Sequence, residues 1–270
     1  LLRAHVEDRY GGVAALNVRA YSAAYVSVPS GTPRADVAFL DCQRKGKTPK
    51  GLYDGSRHFA DVPIPAGTVA APGTDGHLVL WEAATDTLWE FWRASQRPDG
   101  SWQACWGGRI DRVSASDGAF EVPFGVGATG IAAAGYMVTL ADARAGRIDH
   151  AVGLAIPDPG RGLSFPARRH DGATKDPAAL IEGSRLRLDA DVDVEALPLT
   201  PLAKAIARAA QKYGFLVVDR AGAVSVVAEG VGRARTSGDA DPWAAVLGAT
   251  PAYRQLKGFP WDRLQVVAKD

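Results

Sequence analysis

Cysteine is nearly absent from this 270-residue chain, which has only Cys42 and Cys105. Neither belongs to a CxxC or another metal-ligand spacing, which argues against a cysteine-based zinc site. Two states remain open for the pair: one disulfide closing a loop of more than sixty residues, or two separate buried thiols. Long apolar runs are missing too. Stretches such as Ala151–Pro157 fall far short of the roughly 20 residues a membrane-spanning helix needs. The formal net charge is only +1, without the basic excess that phosphate-driven nucleic-acid binding requires, so neither a membrane nor a nucleic-acid partner is expected. Gly-x-Ser-x-Gly does not occur, and Gly125-Val-Gly-Ala-Thr-Gly130 lacks the strand, loop and helix context of a phosphate cradle, which argues against serine-hydrolase and nucleotide-dependent chemistry. The alternation Asp189, Asp191, Asp193, Glu195 does not match a calcium loop and reads as an edge strand kept soluble by charge. No metal or cofactor is expected. The opening residues Leu1–Asp8 show neither an initiator Met nor a signal-peptide core, the pattern expected of a mature or trimmed chain.

What is abundant is turn chemistry. Thirty glycines and seventeen prolines punctuate short apolar runs, and with 47% apolar residues the chain can bury a sizeable core. Strands are not separated by regular helices, so the expected fold is mainly β: a single-domain β-sandwich spanning 1–270, jelly-roll-like, with a few short helices. The clearest helix runs from Pro201 to Tyr213, with Thr200 as N-cap, Gly214 as the stop, and Leu202, Ile206, Ala209 and Ala210 as its buried stripe. Shorter helices are expected at Leu140–Ala145 and Pro242–Leu247. A hairpin is expected from Phe215–Asp219 and Ala223–Ala228 around Arg220-Ala-Gly-Ala.

The richest stretch is Asp75–Trp92, in which a turn at Ala84–Thr87 divides two aromatic runs. In that register Trp81 opposes Glu90. Alternation then places His77, Val79, Trp81, Glu90 and Trp92 on one face, a groove, and Leu78, Leu80, Glu82, Trp89 and Phe91 on the other, the core. Glu82 is discordant on the core side. A second ribbon, Ser101–Gly108, sets Trp102, Ala104 and Trp106 on one face, with Gly107 and Gly108 permitting a bulge or close approach. Sugar rings stack their C–H faces on tryptophan while their hydroxyls bond to carboxylates and imidazoles, so this mixture suits a glycan; the competing reading is that the tryptophans are core. His150 shares a strand face with Val152, Leu154 and Ile156, as a core histidine or as a proton-transfer group brought beside His77. Arg168 and His170 either neutralise an acidic sugar or decorate a loop.

The chain resembles a group of secreted bacterial proteins, common in actinobacteria, through Val62-Pro-Ile-Pro65, Gly73-Thr-Asp-Gly-His77, Trp89-Glu-Phe-Trp92, Trp102-Gln-Ala-Cys-Trp-Gly-Gly108, Ile148-Asp-His-Ala151 and Tyr213-Gly-Phe-Leu-Val-Val-Asp219. The resemblance implies an extracytoplasmic location and contact with envelope or extracellular polysaccharide. The expected function is polysaccharide cleavage, by a glycoside hydrolase with an aromatic-lined groove. Catalytic candidates are Glu90, Asp75, His77 and His150; substrate-binding candidates are Trp81, Trp92, Trp102, Trp106, Arg168 and His170. A polysaccharide lyase and a non-catalytic glycan-binding surface protein are the alternatives.

Overall fold

The computed structural model describes residues 6, 14–19, 21–231 and 240–267; of the opening residues Leu1–Asp8, all but Val6 lie outside the described part. The fold is mainly β and sandwich-like, with few short helices. A mixed six-stranded sheet has the order β1 (Ala15–Asn17), β16 (Ser225–Val227), β11 (Val152–Ile156), β15 (Phe215–Arg220), β14 (Arg185–Leu188) and β17 (Leu264–Val266). A four-stranded sheet has the order β10 (Trp106–Asp111), β7 (Thr87–Trp92), β6 (Leu78–Glu82) and β2 (Ala24–Ser27). Short ribbons complete the set: β3 (Arg34–Ala35) with β5 (Val62–Pro63), β12 (Gly160–Leu163) with β13 (Ile181–Glu182), and β4 (Ala38–Phe39) with β9 (Trp102–Ala104) and β8 (Ser95–Gln96). The helices include α1 (Leu140–Ala145), α2 (Pro201–Lys212) and α3 (Ala244–Leu247).

Alternation along β15 explains the layering. Phe215 and Val217 join a core with the helix α2, whereas Leu216 and Val218 join a second core with residues of the four-stranded sheet. Helix α2 follows its sequence signals: Thr200 Oγ1 accepts from Ala203 N, Pro201 occupies the first turn, Tyr213 caps the last, and Gly214 follows at φ 84°. Leu202, Ile206, Ala209 and Ala210 are all buried against the sheet, the two large side chains stabilising it by about 1.5–3 kcal/mol each.

On β11, Val152, Leu154 and Ile156 face α2, and Gly153 and Ala155 fall on the opposite face. Small residues there are needed, because a methyl group at Gly153 would lie 2.3 Å from the Tyr136 ring. Tyr136 thus fills the space between the sheets. The expected hairpin of β15 and β16 does not form: β11 lies between them, parallel to β15 and antiparallel to β16. A strand as uniformly apolar as Val152–Ile156 is stable only when covered and paired on both sides, and it takes the central place. Gly222 accordingly needs no positive φ. The acidic run is a turn rather than an edge strand: β14 stops at Leu188, Asp189 pairs with Arg263 at 2.7 Å, and Asp193 Oδ1 accepts from Glu195 N.

The Asp75–Trp92 hairpin forms with its loop at Ala83–Asp86, a 3-10 turn closed by Asp86 at φ 51°. Trp81 therefore opposes Leu88, and Val79 opposes Glu90. The slip from the expected pairing is two residues, and because side chains alternate with period two, every residue keeps its expected face. Glu82 does lie on the core side. Its burial is offset by Arg34 Nη2 at 2.5 Å and Thr85 Oγ1 at 2.5 Å.

Cys42 and Cys105 form a disulfide across 63 positions of sequence, fastening the Asp41–Pro49 loop to the start of β10. Gly107 and Gly108 admit backbone and ring: an added methyl would meet Glu90 O at 2.4 Å in the first case and Phe120 at 2.6 Å in the second.

Candidate functional site

The middle of the expected groove is closed. Val79, Leu88 and Glu90 there are fully buried, and Ala133 N and Ala134 N of the 131–137 segment donate to Glu90 Oε1. The opening that remains is a cavity of about 810 Å³ between the two sheets, reached by Asp75, His77, Trp92 and Trp106 from the four-stranded side and by Ala155, Val218, Asp219 and Ser225 from the six-stranded side. Phe39 and the disulfide-bound loop with Lys45 and Lys47 close another wall.

The hairpin positions three of its polar groups here. Trp92 Nε1 donates to Asp75 Oδ1 at 3.3 Å, and Arg93 covers the Trp92 ring at 5.4 Å. His77 Nε2 stands 3.5 Å from Glu90 Oε2. Glu90 itself does not reach the cavity: it is completely buried, and its Oε1 accepts from Ala133 N at 2.6 Å. Its expected place in the groove is corrected: Glu90 lies behind His77, away from the cavity wall. Trp106 stacks on Phe124 at 5.4 Å with the planes 7° apart, and its Nε1 donates to Pro123 O.

A bulge in β15 supplies the facing carboxylate. Leu154 pairs with Val217, but Ala155 pairs with Asp219, so Val218 is the extra residue and both Val218 and Asp219 face the cavity. Strict alternation would have sent Asp219 toward α2; the bulge re-aims it. Burial pushes the Asp219 carboxyl up to about 6, with the charges of Asp171 and Asp75 adding to the effect. Beside it, Glu182 is completely buried, and burial together with the Asp171 carboxylate raises it to about 7. Glu182 Oε2 accepts from Asp171 N at 2.9 Å, while Oε1 is buried without a hydrogen-bond partner. One oxygen from each of Asp171, Glu182 and Asp219 lies within 4.8 Å of the other two. Arg169 also lines the cavity, but its guanidinium is spent on the carbonyls of Pro123, Gly125, Gly127 and Ala128. Tyr136, raised well above the phenol range by burial and by Glu90 and Asp219, fills the space behind.

Of the expected site residues, Asp75, His77, Trp92 and Trp106 meet at this cavity. The others do not line it. Trp81 and Trp102 are half-buried against the core, as the competing reading had it. His150 is taken up by Asp142, 3.4 Å away in α1, and by Ala151 O. Arg168 pairs with Asp117, and His170 is exposed outside the cavity. Asp171, Glu182, Asp219 and Tyr136 escaped the sequence reading as site residues. Asp219 did carry a signal, a carboxylate closing the buried strand Phe215–Val218; Glu182, at the end of a two-residue strand, carried none.

No family model, curated protein or solved structure matches this chain.

Proposed function

We propose that the protein is a secreted carbohydrate-active enzyme that hydrolyses a polysaccharide in this cavity. The observation that carries the reading is the joining of tryptophan to carboxylate and imidazole at one wall: Trp92 held by Asp75, with His77 beside them and Trp106 paired with Trp92 on the neighbouring strand. Indole rings suit the apolar face of a sugar, and the polar pair suits its hydroxyls and glycosidic oxygen. The disulfide, and the lack of any helix long and apolar enough to cross a membrane among the described residues, are compatible with an extracellular setting.

In this mechanism Asp75, oriented by the Trp92 N–H, takes a proton from water as the water attacks the anomeric carbon. His77 as imidazolium gives its proton to the departing glycosidic oxygen, and the buried Glu90 carboxylate holds the ring in place and offsets its charge. The test is a panel of plant, fungal and bacterial wall polysaccharides, scored for new reducing ends. Wild type is expected to release them, with Asp75→Asn and His77→Gln each slower by about 10²–10⁴-fold. Activity unchanged in both variants would sink the assignment.

Elimination is the second reading, favoured by the His77–Glu90 pair, in which a neutral imidazole removes the proton beside a uronate carboxylate. Its products carry an unsaturated ring that absorbs in the ultraviolet; hydrolytic products do not.

A further inference from the structure

The three clustered acids have no counterpart in that mechanism. Asp171 comes from the loop before β13, Glu182 from the end of β13, and Asp219 from the β15 bulge, so tertiary packing alone assembles them. The packing is tight: Gly183 N donates to Val217 O, Ser164 N donates to Glu182 O, and a methyl group at Gly183 would lie 1.7 Å from Ser164 O. Glu182 is thereby fixed beside β15, completely buried, with Oε1 lacking a hydrogen-bond partner among the described residues. A buried carboxylate oxygen without a donor costs several kcal/mol unless something positive meets it. Arg169, which also lines the cavity, is already committed to four backbone carbonyls.

We propose that Asp171, Glu182 and Asp219 form a binding site for one divalent cation of the calcium type at the wall of the cavity. All three ligands are hard oxygens, without thiolate or imidazole among them, which selects against zinc and copper. Three oxygens within 4.8 Å of one another lie at most about 2.8 Å from a common centre, so shifts of a few tenths of an ångström bring all three to the roughly 2.4 Å typical of Ca–O bonds. The carboxylates come from three separately packed segments, and Ca²⁺ tolerates such irregular placement where Mg²⁺ demands a near-ideal octahedron. Because Asp171 and Asp219 also line the cavity, the remaining coordination positions face the substrate space and take water, sugar hydroxyls or a uronate carboxylate. That last role rests on the proposed function; binding of the cation does not.

The full chain, stripped with EDTA and dialysed into metal-free buffer, is titrated with CaCl₂ by calorimetry, with Tb³⁺ luminescence as a second readout. One saturable site is expected, with Kd on the order of 10⁻⁴ to 10⁻³ M, as for extracellular calcium modules. Asp171→Asn, at an exposed position that folding tolerates, and Glu182→Gln are each expected to weaken it at least about tenfold, whereas Glu195→Gln, outside the cavity, leaves it unchanged. Heats that stay linear up to about 10 mM CaCl₂, well beyond the weakest such modules, would overturn the site. So would binding that survives both Asp171→Asn and Asp219→Asn, or a Glu182→Gln variant that is more stable than wild type while calcium leaves wild type unaffected. Calcium binding without polysaccharide cleavage would leave the site standing and remove the enzyme reading instead.

Discussion

His77 Nε2 lies 3.5 Å from Oε2 of Glu90, a carboxylate that is completely buried and whose other oxygen is held by Ala133 N. The proposed proton transfer rests on this arrangement, an imidazole at the cavity wall with a buried acid behind it.

Glu90→Gln keeps the shape of that partner and removes its charge. The expected outcome is a fall in kcat of about 10–100-fold with KM nearly unchanged, since Glu90 acts through His77 in the proposed mechanism. Steady-state kinetics on an active polysaccharide reads this; an unchanged kcat would reduce Glu90 to a structural role.

Gly153→Ala tests the close approach between β11 and the layer above it. The added methyl would stand 2.3 Å from the buried Tyr136 ring, so the ring or the strand must shift. Urea denaturation is expected to show a loss of about 1–3 kcal/mol. Gly135→Ala, where nothing lies within 4 Å of the new methyl, is the control and should change stability far less.

The Cys42–Cys105 bridge spans 63 positions, and loop-closure entropy gives it a stabilising contribution of about 4 kcal/mol. The double variant Cys42→Ser, Cys105→Ser should lose an amount of that order in chemical denaturation. The Asp41–Pro49 loop at the cavity wall should become the first site of proteolytic nicking.

His150 and Asp142 give a pH signature of stability. Burial works against a charged His150, yet its bond to Asp142 raises it above the ordinary histidine value; Asp142 is likewise opposed by burial, yet lowered by His150 and Thr139. The raised histidine contributes stability that is complete below its unfolded pKa and lost as pH rises through the folded one. The lowered aspartate contributes stability above its unfolded pKa that is lost as pH falls through the folded one. Their overlap lies between roughly pH 4 and 6.5. His150→Gln should therefore cost most in that window, about 1 kcal/mol for so exposed a pair, and less above pH 7. Thermal melts from pH 4 to 8 read the difference; a cost that is flat with pH would contradict the pair.

Much of the local architecture was legible without coordinates. The two faces of the Asp75–Trp92 hairpin, the limits of α2 and its buried stripe all follow from side-chain periodicity and capping chemistry, which act over a few residues. Even the two-residue error in the hairpin register left the faces intact, because the strand period is two. Asp75, His77, Trp92 and Trp106 were drawn to the same cavity for that reason: they sit near the ends of neighbouring strands.

What those patterns could not reach was decided by pairing between distant segments. Insertion of β11 between β15 and β16, the bulge that turns Asp219 inward, and the segment at 131–137 that buries Glu90 each depend on where a remote strand or loop packs. The acids at 171, 182 and 219 belong to three different segments. By itself the sequence determined a mainly β chain, a well-capped helix and an aromatic hairpin with polar groups on a defined face. Tertiary structure alone decided that the middle of that face would be sealed, that Glu90 would stand behind His77, and that three carboxylates would share one small space. Local preference fixes which way a side chain points from its own strand, whereas long-range packing fixes what it meets there.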